Sequence, residues 1–263
     1  MRVVILASGS EGNATVFVSR TTQLLVDAGV GPRVLAGMLK AIGLEPRLDA
    51  IVITHAHADH VGHAAKLARK CRAPLFASEE TSRELGPLSS SIARRTFGPR
   101  ERFGVGELEL RPLPIPHDAA QVSLRISDGS ASCGLATDLG EVTAELEEHV
   151  AGVDLLLLES NHDEKMLAEG PYAPFLKERI AGAKGHLSNA QAHALLRRLG
   201  PRTKTVALLH LSRTNNRPEL AREAAEDALR GRGVALHVAP PRGPLVLDAA
   251  PREVARGRLD LFD

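Results

Sequence analysis

Apolar positions along the chain fall into two kinds of segment. Short β-branched or leucine-rich runs recur at residues 3–7, 14–18, 23–26, 50–53, 107–110, 122–126, 132–136, 153–158, 205–209 and 234–238, and these read as strands. Between many of them lie segments with apolar residues at helical spacing, at 33–42, 61–70, 141–149, 188–199 and 218–230. The order runs from hairpin-like strands into alternating strand and helix, and then the same order returns. Such a pattern predicts an α/β protein with two sheets and helices on the outside. Residues 86–106, with their serines, prolines and arginines, read as irregular surface. No low-complexity linker divides the chain, so one domain is expected over 1–250, followed by a C-terminal tail over 251–263 that stands apart from the last strand.

Composition narrows the class. The chain has 263 residues, 43% hydrophobic and 25% charged, the balance of an ordinary globular protein. Folding at this size buries roughly three quarters of the unfolded surface, so a core needs neither disulfide nor oligomer. The two cysteines, Cys71 and Cys133, stand alone without a CxxC spacing, which argues against a disulfide framework and against a thiolate metal site. A formal net charge of +1 excludes a strongly basic nucleic-acid coat. Local clusters such as Arg94, Arg95, Arg100 and Arg102, or Arg197, Arg198, Arg202 and Lys204, read as solvated faces. Aromatic residues make up 3%, with one tyrosine and no tryptophan, so stacking on aromatic platforms is not expected as a major binding mode. The apolar run in MRVVILASGS is too short for a signal segment, and no later stretch approaches the roughly 20 apolar residues of a membrane span. A cytoplasmic protein is the simplest expectation.

The chemistry concentrates in THAHADHVGH, residues 54–63, where four histidines and an aspartate crowd together. Charged imidazoles repel one another, so something must hold them. His55-x-His57-x-Asp59-His60 follows the apolar run AIVIT and opens a helix, which places it on a strand-to-helix loop. Neutral imidazole with carboxylate suits Zn, Fe or Mn. Two metal ions need more ligands, and other strand ends supply candidates: His117 after LRPLPIP, Asp138 at the end of SCGLAT and His210 at the end of KTVALL. Each brings a polar group to a shared edge, the usual place for a site in a layered α/β protein. His63 lies three residues beyond His60 on the same helical face and reads as a residue that packs or that supports a ligand from behind.

These residues resemble the metallo-β-lactamase-fold hydrolases, and the resemblance runs the whole length of the chain. It implies a four-layer αββα fold, two mixed β-sheets sandwiched between helices. It implies two divalent metal ions (Zn or Mn), one bound by His55, His57 and His117, the other by Asp59, His60 and His210, with Asp138 bridging them. Asp27, in LLVDAG, would orient the loop. An aspartate at 138, where true lactamases of this fold carry cysteine, points to the phosphodiesterase and thioesterase branches.

Four further segments, SGSEGN at 8–13, ESNHD at 159–163, GHLSN at 185–189 and LLHLSRTNN at 208–216, resemble the YycJ (WalJ) subgroup. That resemblance implies a dinuclear metal-dependent phosphodiesterase, a 5'-to-3' exonuclease on single-stranded DNA with a role in repair. The alternative is a small-molecule ester, thioester or lactone hydrolase of the glyoxalase II type. Ser8, Ser10 and Asn13 offer a turn whose backbone could face an anion, and Ser188 and Asn189 open a helix whose dipole favours negative charge. Asp59 at the metals, with His186 and then His162 as candidate general acids, makes up the expected catalytic set, since histidine titrates near neutral pH. The stretch from Asp138 to His210 is too short for an inserted domain of roughly a hundred residues, so an open cleft is expected. At the chain end, Arg258-Leu259-Asp260-Leu261-Phe262 resembles the pentapeptide that binds the bacterial DNA sliding clamp, with arginine where glutamine usually stands. Leu259, Leu261 and Phe262 would be its anchors.

Overall fold

Alternation along strands that are apolar on both faces sets the architecture. The computed structural model describes residues 1–249. Its first half runs β1 (Arg2–Ala7), β2 (Ala14–Val18), β3 (Gln23–Val26), α1 (Pro32–Ala41), β4 (Ala50–Val52), α2 (Ala58–Val61), α3 (Ala64–Cys71), β5 (Leu75–Ser78), α4 (Glu79–Glu84) and β6 (Arg94–Phe97). The second half runs β7 (Phe103–Val105), β8 (Leu108–Ile115), β9 (Gln121–Ser127), β10 (Ser132–Ala136), α5 (Ala144–Val150), β11 (Leu155–Glu159), α6 (Glu164–Glu169), α7 (Pro174–Ala181), α8 (Asn189–Arg198), β12 (Thr205–Leu209), α9 (Pro218–Leu229), β13 (Ala235–Val238) and β14 (Arg242–Asp248).

The strands form two seven-stranded mixed sheets, ordered β14-β1-β2-β3-β4-β5-β6 and β13-β12-β11-β10-β9-β8-β7. In the first sheet β14, β1, β2 and β3 pair antiparallel, and β3 to β6 pair parallel. The second has the same plan, with β7 to β10 antiparallel and β10 to β13 parallel. Parallel neighbours need a crossover, and the helices supply it, so they cover the outer faces.

Three apolar layers result. Val3, Ile5, Phe17 and Leu24 of the first sheet meet Leu110, Leu124, Leu155 and Leu157 of the second in the space between the sheets. Their sequence neighbours Val4, Leu6, Val16 and Leu25 point the other way, onto Leu35 and Leu39 of α1 and Leu67 of α3. On the far side Leu156, Leu158, Val206 and Leu208 pack against Leu146 of α5, Leu195 and Leu196 of α8 and Ala221 and Ala225 of α9. This is the αββα sandwich expected from the resemblance.

Residues 86–106 depart from the expectation of irregular surface, because β6 and β7 lie within them and form one edge of each sheet. Phe97 and Phe103 stack at 4.7 Å between ring centroids and Phe76 and Phe103 at 5.3 Å, so three aromatic rings close that edge. The expected helix over 61–70 is two pieces, α2 and α3, separated at Gly62 and His63. Strands β5 and β14 add to those expected. No helix among the described residues is long and apolar enough to cross a membrane. The tail over 251–263, with Leu259, Leu261 and Phe262, lies outside the described residues.

Candidate metal centre

The parallel strands of both sheets deliver polar residues at their carboxyl ends. Asp27 follows β3, Thr54 and His55 follow β4, Asp138 follows β10, Glu159 ends β11 and His210 follows β12. Three of these, Asp27, Asp138 and His210, have left-handed backbones with φ of 61°, 56° and 55°. For residues other than glycine this costs of order 1–3 kcal/mol each, a strain that persists only where the surroundings enforce it. The loop carrying His55 to His60 is clamped from its back: Asp59 O accepts the backbone N–H of Asn13 at 2.8 Å and His60 O that of Ala28 at 2.6 Å. Gly29 makes that approach possible, because a Cβ there would lie 2.1 Å from Asp59 O.

Nitrogen and oxygen atoms from separate elements converge in groups whose members lie within 4.8 Å of one another: His55, His57 and His117; Asp59, His60 and His210; and His55, His60 and Asp138. The structure thus brings together all seven residues singled out as metal ligands, with Asp138 touching both triads.

Hydrogen bonds decide which ring nitrogen faces the cluster. His60 donates Nδ1–H to Asp27 at 2.8 Å, and His210 donates Nδ1–H to Glu159 at 2.9 Å. His117 donates Nδ1–H to Gly185 O at 3.2 Å. In each case Nε2 is left turned inward. His57 is reversed: its Nδ1 lies 3.4 Å from His117 Nε2, while its Nε2 faces Asp118 at 3.3 Å. Asp27 is itself fixed by the backbone N–H of Thr54 at 2.9 Å and by the Thr54 hydroxyl.

These donors fit divalent cations. His55 Nε2, Asp138 Oδ2 and His210 Nε2 are buried polar atoms without a hydrogen-bond partner. His60, its Nδ1–H engaged by Asp27, has Nε2 3.3 Å from Asp138 Oδ2 and 2.9 Å from Asn13 Nδ2. A nitrogen lone pair facing a buried carboxylate needs a cation between them. Where no metal is present, protons take that role. Burial works against charge on His210, but Asp138, the nearby Asp59 carboxylate and the bond to Glu159 push its pKa up to about 10. Asp27 and Asp138 raise His60 in the same way, against its burial. Burial and then the His60 charge hold His55 down to about 2, which keeps it a neutral ligand. Zinc and manganese both suit this imidazole and carboxylate set, with no sulfur offered.

Glu159 was not among the residues expected at the site. It has no exposed surface, and it accepts Nδ1–H from His186 at 2.8 Å as well as from His210. The backbone N–H groups of Leu139 at 3.1 Å and Leu187 at 3.2 Å complete its partners. Burial works against its charge, but the His186 charge and the bonds from His186 and His210 hold its pKa at about 2. The rule that found Asp138 and His210, a polar residue ending a buried strand, applies equally to LLLLE. Asp118 and Arg179 were also missed. They pair beside His57 and His117, with Arg179 Nε donating to Asp118 Oδ2 at 2.7 Å.

Other candidates lie elsewhere than expected. Ser8, Asn13, Ser188 and Asn189 are 2–8% exposed, and their side chains bond within the protein. Ser8 Oγ accepts the His210 backbone N–H at 2.8 Å, and Asn13 Nδ2 reaches Asp59 Oδ2 at 3.0 Å, so both brace ligands. Ser188 caps α8 and donates to Glu164, while Asn189 bonds Ser160 and Asn216, which corrects the expectation that they face substrate. Gly9 N–H is taken by Asn13 Oδ1, and Ser10 alone of the 8–13 candidates is exposed. His162 is 2% exposed and is buried away from solvent, unlike His186, whose side chain is 23% exposed. His186 lines a cleft of about 270 Å³ with His57, His117, Asp118 and Arg179.

The family model described as a beta-lactamase superfamily domain matches residues 22–210. Exodeoxyribonuclease WalJ of Streptococcus pneumoniae serotype 2 is 40% identical over 226 residues, spanning 82% of this chain and 84% of that protein. Exodeoxyribonuclease YycJ of Bacillus anthracis is 32% identical over 235 residues, spanning 87% of this chain and 89% of that protein. Among solved structures, the metallo-beta-lactamase fold protein YhfI from Bacillus subtilis superposes with a TM-score of 0.73 at 18% identity, covering 94% of this chain and 100% of that one, a likeness of fold alone.

Glu159→Gln keeps the side-chain shape while removing the charge that orients His210 and His186. Chelator competition is expected to show metal affinity about 10- to 100-fold weaker, with an unchanged circular dichroism spectrum. Wild-type affinity would show that Glu159 does not orient a ligand.

Proposed function

This chain belongs to the beta-lactamase superfamily and is a metal-dependent hydrolase; on that premise we propose that it removes nucleotides from single-stranded DNA, 5' to 3', in repair. The observation that carries the reading is the pair of ligand triads meeting at Asp138 beside an open cleft, in a chain with two relatives named exodeoxyribonuclease. An aspartate at the junction supports phosphodiester over lactam hydrolysis. The polarity and the role in repair rest on the four segments that resemble the YycJ (WalJ) subgroup. A cleft of about 270 Å³ lies at the small end of ligand sites and takes one strand more readily than a paired end.

In this reading His55, His57 and His117 hold one ion, Asp59, His60 and His210 a second, and Asp138 serves both. When bound, such ions supply Lewis acidity for a phosphoryl group and make water acidic enough to attack near neutral pH. The chain's own residues do the rest. Asp27 and Glu159 keep the ligand nitrogens aimed, so the site needs no rearrangement during the reaction. His186 is the general acid for the departing oxygen. Its Nδ1–H is held by Glu159, which leaves Nε2 as the nitrogen free to give a proton in the cleft. Burial lowers its pKa, but the Glu159 charge and hydrogen bond outweigh that and raise it, so a proton is available near neutral pH. His162, buried behind its contacts to Ser188 and Leu187, is a supporting residue of this loop.

Incubating manganese- or zinc-loaded protein with oligonucleotides labelled at either end should release nucleotides progressively from the 5' end of single-stranded DNA, and Asp138→Ala should abolish release. Absence of any cleavage by the loaded wild type would overturn the reading. His186→Ala should retain metal while turnover on DNA falls about 10²- to 10⁴-fold. An aryl phosphodiester, whose leaving group needs no proton, should lose far less; equal losses on both substrates would remove the acid role. The sliding-clamp contact through Leu259, Leu261 and Phe262 is read from sequence alone. Deleting 258–263 should abolish binding to purified clamp and leave hydrolysis of short oligonucleotides intact.

A further inference from the structure

Aromatic residues are scarce in this chain, and where the few exposed ones fall carries information. Its single tyrosine, Tyr172, lines the cleft beside the metal ligands His57 and His117. Three residues on, Phe175 is 72% exposed, whereas the other phenylalanines among the described residues are buried or partly buried. Both belong to the segment around α7, a helix with no buried residue. Leu176 and Ile180, one turn apart, face the cleft with Tyr172. Arg179 stands four positions after Phe175 on the same flank and directs Nε and Nη2 at Asp118. A guanidinium has five N–H groups, so donors remain for an anion after that pairing.

An apolar and aromatic wall, a cation held by a neighbouring carboxylate and a metal centre therefore share one small cleft. A solvent-facing helix that buries nothing does not contribute its apolar side chains to the core, so their placement there calls for another partner. We propose that Tyr172 and Phe175 form the stacking platform for the bases at the strand end, Tyr172 under the terminal base in the cleft and Phe175 under the next base at its mouth, with Arg179 contacting the connecting phosphate. This rests on the nuclease reading and deepens it, naming a single-stranded end with intact bases as the preferred substrate. Every base has a π face, so such a platform is tolerant of sequence. The aromatic content that argues against a broad stacking surface suffices for two bases.

The test uses Phe175→Ala and Tyr172→Ala in the full chain loaded with manganese. Substrates are a single-stranded oligonucleotide and two counterparts, each with one abasic residue, at the terminal or at the next position. For the wild type, either abasic residue should raise KM about tenfold, a fold-change toward the low end of base–aromatic stacking for one base. Each variant should raise KM on the intact strand by a similar factor, keep metal content, and lose discrimination against the abasic position it serves. Phe175 is exposed, so its removal leaves the fold intact and keeps the test valid if Tyr172→Ala misfolds. Variants that cleave the intact and the singly abasic strands with the wild-type ratios would overturn the platform while leaving the nuclease reading standing. A wild type that cleaves none of these strands would instead overturn the nuclease reading, and the platform with it.

Discussion

The centre of this protein depends on two buried carboxylates that are not themselves in the ligand triads. Asp27 and Glu159 each take the Nδ1–H of a metal-site histidine, and so each decides that Nε2 points into the cluster. A carboxylate buried in the core needs several donors, and each has them. Asp27 has Thr54 twice over, and Glu159 has two backbone N–H groups and a second histidine. One carboxylate stands at the end of β3 in the first sheet and the other at the end of β11 in the second, so each sheet orients its own half of the site. Asp138 lies where those halves meet.

Concentrating so much charge would be unstable if it were not balanced within the cluster. The carboxylates Asp59, Asp138 and Glu159 are held ionised by the histidines, and His60 and His210 are held charged by the carboxylates when no metal is present. Divalent ions replace those protons, which ties metal affinity to pH. The left-handed backbones of Asp27, Asp138 and His210 add local strain, and the packed sheets behind them provide the rigidity that sustains it.

Substrate chemistry sits on the opposite side of the balance from stability. α7 buries nothing, its Leu176 and Ile180 face the cleft, and the Arg179–Asp118 pair next to His57 helps link it to the metal side. Asp118 thereby joins the orientation of a ligand imidazole to the position of the cleft wall. His186 is reached from the other direction, through Glu159, so the same buried carboxylate serves a metal ligand and the proposed proton donor.

Much of this was legible in the sequence by itself. The β-branched runs marked ten of the strands, and the spacing in THAHADH together with polar residues ending apolar strands picked out His117, Asp138 and His210, because strand direction forces those ends to one edge. Glu159 obeyed the same rule and was passed over. The edge strands β6, β7 and β14, and β5 next to one edge, were less legible, since short or polar-flanked strands carry weak periodicity and are made by pairing with neighbours. Tertiary structure alone decided which hydroxyls and amides were internal. Ser188 and Asn189 look like an anion site in one dimension, yet their partners Glu164, Ser160 and Asn216 come from other segments. The same holds for Asp118, Arg179 and Tyr172: hydrogen-bond partners and exposure are properties of packing between distant segments, which local residue pattern does not encode.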